Sequence, residues 1–86
     1  MSVEQTLAER GSRYGDFATH AGISQSLKEV MVATPQWGEM PTYQREALEM
    51  IAHKIARILN GDPNYADNWH DIAGYAQLVE KELSRV

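Results

Sequence analysis

Two groups of side chains in this 86-residue sequence have the types and spacing that chemistry would need. Lys54 and Arg57 stand at i, i+3 and share one face of any helix that carries them. An arginine presents a planar fork to phosphate or carboxylate, and a lysine adds a mobile point charge. In Tyr14-Gly15-Asp16 a ring stands next to a glycine, so a ligand would find both a stacking surface and approachable backbone N–H groups. Trp69 and Tyr75 supply further rings, and Asp71 could orient the arginine. Tyr14, Lys54, Arg57, Trp69, Asp71 and Tyr75 are therefore the candidate binding residues, for a ligand that joins a phosphate to a stackable base. The same cations also suit ion pairs with Asp67 and Asp71 across a helical hairpin.

The second group is acidic. Glu46 and Glu49 lie at i, i+3 on one predicted helix, and Asn68 and Asp71 at i, i+3 on the next. Groups facing each other in this way could hold Mg²⁺ against a phosphate chain. Asn68 brings no negative charge, and Arg45 stands where a further carboxylate would be expected. Glu46, Glu49 and Asp71 remain as metal-ligand candidates, and without that chemistry no cofactor is expected. The bland alternative is that these acids lie on exposed helix faces. The histidines at 20, 53 and 70 read as surface or capping groups.

Four helices would position these residues. Ser2 with Gln5 forms a capping-box pattern for a short helix over 3–10, which Gly11 should end. A second helix is predicted over about 16–33, with Phe17, Ala21, Ser24, Leu27 or Lys28, and Met31 near helical spacing, stopped by Thr34-Pro35. Thr42 reads as the N-cap of the clearest helix, in which Leu48, Ile51, Ile55 and Ile58 recur at +3, +4, +3 beside Ala47, Ala52 and Ala56. That helix should end at Asn60, with Gly61 as a left-handed cap. Asp62-Pro63 should then start the last helix at once, and Tyr65, Trp69, Ile72, Ala76, Val79 and Leu83 form its apolar stripe. No period-two alternation appears. The expected fold is all-α, one domain over 1–86, with three main helices and a short N-terminal one.

Composition limits what such a domain can do. Only 17 residues are Leu, Ile, Val or Phe, and cysteine is absent, so neither a large core nor a disulfide can stabilise the chain. Association between copies is the remaining device, and a homo-oligomer is expected. A net charge of −4 argues against binding duplex nucleic acid. The chain shows neither an 18-residue apolar run nor a basic-then-apolar leader, so no membrane association and a cytoplasmic location are expected.

The segments Arg13-Tyr-Gly-Asp-Phe17, His53-Lys-Ile-Ala-Arg-Ile-Leu-Asn60 and Asp67-Asn-Trp-His-Asp-Ile-Ala-Gly-Tyr-Ala76 resemble, in order and spacing, a family of short bacteriophage proteins of unassigned function. That family is distantly similar to the MazG-type all-α nucleotide pyrophosphohydrolases, whose motif is Glu-Glu-x-x-Glu on one helix and Glu-x-x-Asp on the next. Glu46, Glu49 and Asp71 fit that motif, whereas Arg45 and Asn68 depart from it. By size and helicity the chain also resembles phage sponges that sequester immune signals, among them the cyclic dinucleotides of CBASS and the ADP-ribose derivatives of Thoeris defence. The resemblance implies a nucleotide-derived ligand that is bound and not turned over, in the host cytoplasm during infection. The alternatives are a Mg²⁺-dependent pyrophosphohydrolase and an adaptor that docks on a host protein through Met31, Met40 and Met50.

Overall fold

A computed structural model describes residues 2–85 and contains four α-helices, with no strand among the described residues. They are α1 (Val3–Tyr14), α2 (Phe17–Val32), α3 (Thr42–Asn60) and α4 (Ala66–Leu83), with a single 3₁₀ turn at Trp37–Glu39 between α2 and α3. The expected all-α class is what the chain adopts. Helix α3 is central: α2 and α4 both pack on it, and α1 lies against α2 and α3.

Local chemistry explains most of the boundaries. Ser2 and Gln5 close the capping box, with the Gln5 N–H donating to Ser2 Oγ at 3.1 Å and the Ser2 N–H donating to Gln5 Oε1 at 3.0 Å. Gly11 does not end α1, which continues to Tyr14. Gly11 keeps an ordinary negative φ, and the reversal falls at Gly15, where φ is +78°. Asp16 caps α2 by accepting the Thr19 N–H at 2.9 Å.

Three further expectations need correction. Thr42 is the first residue of α3 and Pro41 precedes it as the cap, without a side-chain bond. Gly61 is not left-handed, having φ −130°; a glycine is required there because a Cβ would collide with Arg13 O and the Tyr14 backbone. The last helix begins at Ala66 and not at Pro63. Asp62 is already engaged elsewhere, its N–H donating to Arg13 O at 2.7 Å and its Oδ1 accepting the Asn64 N–H at 2.9 Å.

The core is small and made of alanine. Ala47, Ala52 and Ala56 are the buried apolar residues, and their small side chains let neighbouring helices approach α3 closely. Ile51, Ile55 and Ile58 are only half-buried, and Leu48 is exposed. In α4 the expected stripe is rotated: Trp69, Ala76 and Leu83 are exposed, while Asn68 is 1 % exposed. Asp71, Ile72, Tyr75 and Val79 are half-buried on the same side as Asn68. Likewise Phe17 in α2 is exposed, and His20 and Ser24 are buried in its place.

The glycines make a direct test of these backbone assignments. Gly11→Ala should stabilise the protein by roughly 0.5–1 kcal/mol, since the position is helical and no atom lies near its Cβ site. Gly15→Ala should destabilise it by about 2 kcal/mol or more, because positive φ and a collision with Asn60 act together. Urea titration of the two variants checks both signs.

Candidate functional site

A concave site lies where the α1–α2 turn meets α3. It has a volume of about 490 Å³, and Arg10, Tyr14, Phe17, His20, His53 and Arg57 line it. That volume falls within the ~300–1000 Å³ typical of small-molecule pockets. Three features of the sequence build it. Gly15 turns the chain sharply between α1 and α2, so that Tyr14 and Phe17 flank one opening. Asn60, the last residue of α3, donates from Nδ2 to Tyr14 O at 3.0 Å and to Asp16 O at 2.8 Å, which fixes the turn on the helix end. His53 and Arg57, one helical turn apart on α3, then form the wall opposite.

Arg57 lies over the Tyr14 ring, with Cζ 4.2 Å from the ring centroid. It makes no ion pair among the described residues. Tyr14 is held in turn by an edge-on contact with Tyr65, the centroids 6.0 Å apart. The Tyr65 hydroxyl accepts from Arg13 Nη1 at 2.9 Å and donates to Asp67 Oδ2 at 3.0 Å. This chain of contacts places the guanidinium without neutralising it. Asp16, the acid at the pocket, is already bonded to the Thr19 N–H and hydroxyl, and those bonds hold its carboxyl below the usual carboxylate range. With Arg10 as a second cation, the pocket suits an anion. Phe17, 77 % exposed at its edge, adds an apolar ring.

The two histidines of the pocket are neutral at pH 7. Their rings meet edge to face with centroids 4.5 Å apart. Burial, followed by the charge of Arg57, pushes His53 down to about 4. His20 is lowered as well, again first by burial and then by Arg57. The reading of His20 as a surface group is thus incorrect: it is 5 % exposed and packs on α3.

The six candidate binding residues do not converge. Tyr14 and Arg57 share the pocket. Lys54 instead forms an ion pair with Asp71, Nζ to Oδ2 at 2.9 Å, across the α3–α4 hairpin. Asp71 therefore orients Lys54 and not Arg57, and this contact, led by the hydrogen bond, lowers the Asp71 pKa. Tyr75 lines a shallow hollow beside His70 and Asp71 on α4. Trp69 stands apart, its Nε1 donating to Pro63 O at 2.9 Å. Arg10, Phe17, His20 and His53 escaped the sequence reading. The signal that existed was the i, i+4 spacing of His53 and Arg57, which puts them on one side of α3.

The acidic set does not assemble on one ion. Among the described residues no three His, Asp or Glu side chains form a group able to hold a metal. The Lys54–Asp71 pair fixes the hairpin register. At 1.5 Å per residue Glu49 then lies about 7.5 Å, and Glu46 about 12 Å, further along α3. Glu46 and Glu49 border a separate open hollow with Trp37, Thr42 and Arg45.

The neutral histidines give a pH signature. Their lowered values mean that the unfolded chain binds more protons below about 6.5, a window that for His53 extends down to about 4. Stability should be full above pH 6.5 and fall as pH drops through that window. The lowered carboxylates Asp16 and Asp71 lose their contribution only below their ordinary value of 3.8. Thermal melts from neutral pH down to pH about 4 should show the decline, and His53→Asn should flatten it; an unchanged slope in that variant would contradict the assignment.

No curated protein and no solved structure matches the chain. No helix among the described residues is long and apolar enough to cross a membrane. Residues 2–83 match the model of a family described as a domain of unknown function, DUF6378, and the chain belongs to that family.

Proposed function

We propose that this protein binds a phosphate-bearing nucleotide in the pocket between α1, α2 and α3, and acts as a homo-oligomeric sponge that sequesters the nucleotide intact. The observation that carries the reading is Arg57, which has no carboxylate partner among the described residues, lies over Tyr14 and borders a cavity of about 490 Å³. Arg57 and Arg10 would take the phosphate. Tyr14 and Phe17 would supply faces for the base. The neutral imidazoles leave the wall beside Arg57 free of further charge, so the pocket carries a modest positive field and not a polyanion track.

Sequestration needs affinity and abundance, and no catalytic base. That the ligand is a cyclic nucleotide or ADP-ribose signal, captured to block bacterial anti-phage defence, rests on the resemblance to small helical phage sponges. Hydrolysis in the MazG manner would require Glu46, Glu49 and Asp71 on one Mg²⁺. Their separation along the hairpin and the engagement of Asp71 by Lys54 weigh against that reading. Met31, Met40 and Met50, the residues through which a host-protein adaptor would dock, are all half-buried.

Calorimetric titration with a panel of cyclic dinucleotides, ADP-ribose derivatives and nucleoside triphosphates tests the proposal. Arg57→Ala should weaken binding by roughly 10- to 100-fold, the cost of a charge-assisted hydrogen bond, with helical circular dichroism unchanged. Lys54→Ala should change affinity by less than about threefold, because Lys54 serves the hairpin and not the pocket. Equal affinity in the wild type and Arg57→Ala, or shortening of a triphosphate in Mg²⁺, would contradict it.

A further inference from the structure

We infer that the apolar groove between the N-terminal half of α3 and the C-terminal half of α4 is covered by a second copy of this chain. The two hairpins would pack as a four-helix bundle. The inference deepens the oligomeric part of the proposed function by naming the face, and it does not depend on the ligand.

The groove has a volume of about 350 Å³, and Met40, Leu48, Ile51, Ala76, Val79 and Leu83 line it. None of its lining residues is charged, and Gln44 is its polar member. This is the depletion of charge that marks the centre of a protein interface. The ligand pocket shares no lining residue with it and carries Arg10, Asp16 and Arg57. The groove also explains the apparently misplaced stripe of α4. Ala76, Val79 and Leu83 fall at helical spacing, yet Ala76 and Leu83 are exposed because α3 covers the neighbouring side of the helix.

Surface area indicates the size of the missing partner. A compact chain of this mass exposes about 5100 Å², whereas this chain exposes 6109 Å². The surplus of about 1000 Å² is close to the ~800 Å² that each partner contributes to an interface of standard size. The radius of gyration of 14.8 Å likewise exceeds the ~12 Å of a compact chain of this length. Helices α2 and α4 both lean on α3, and the groove along one side of the α3–α4 pair is left uncovered among the described residues. An identical hairpin, related by a two-fold axis, presents the same apolar seam in return.

Sedimentation equilibrium of the full chain from micromolar to millimolar concentration tests the inference. The wild type should show twice the 9.7 kDa chain mass. Leu48→Glu should return to the monomer mass, with its dimer dissociation constant raised roughly 100-fold or more by a charge in the seam. Leu83→Arg, at a position 64 % exposed, should do the same without touching the core, and therefore decides the matter if Leu48→Glu fails to fold. Leu59→Glu, 66 % exposed on α3 outside the groove, should remain a dimer. A wild type that is monomeric at every concentration overturns the inference, as does a dimer that persists in both seam variants. A monomer would leave the pocket reading standing, because Arg57→Ala tests that separately.

Discussion

From the last turn of α3, the side-chain amide of Asn60 donates to Tyr14 O and Asp16 O, while the Asp62 N–H donates to Arg13 O. These bonds join two of the chain's reversals, α1 to α2 and α3 to α4, into one unit. The contact is close enough that both turns must carry glycine, Gly15 facing Asn60 and Gly61 facing Arg13 and Tyr14. Helix α1 has little apolar burial of its own, since it contains no buried residue. Its placement, and with it the position of Tyr14 under Arg57, follows from this docking. The pocket is therefore a consequence of a backbone-level junction and not of a hydrophobic core.

A core made of three alanines explains why such a junction is necessary. Alanine buries little apolar surface, so close helix approach contributes dispersion but only a small hydrophobic term. Buried polar groups add cost: His20 Nδ1, Arg45 Nε and Asn68 Nδ2 make no hydrogen bond among the described residues. The large apolar residues that would ordinarily fill a core, among them Leu7, Leu59, Leu78 and Leu83, remain at the surface. The association proposed above would offset this deficit by burying surface that a single chain leaves in water.

Much of the fold was legible in the sequence. The capping box at Ser2, the stop at Thr34-Pro35 and the isoleucine spacing of α3 are local signals, and local hydrogen bonding decides helix ends. Gly11 and Asp62-Pro63 misled because their roles depend on contacts far away in sequence. Gly11 has no steric reason to end a helix, whereas Asp62 is held by Arg13 across the junction. The stripe of α4 was correct as a periodicity and wrong as a core. Periodicity identifies an apolar side without saying whether the same chain or another covers it. Of the candidate binding residues chosen by type, Tyr14 and Arg57 line one pocket. The histidine pair was missed because burial, which makes His20 and His53 part of the pocket wall, has no signature in single residues.

We propose that the α1–α2–α3 pocket receives a phosphate-bearing nucleotide. An amide-resolved NMR titration of the ¹⁵N-labelled protein with the nucleotide panel tests it most directly, because it reports where a ligand sits and needs no substitution. Binding in this pocket should concentrate the shifts at residues 10–20 and 53–57, with the Arg57 side-chain resonance among the largest. Shifts confined to α4 around Tyr75, or none with any phosphate ligand, would contradict it.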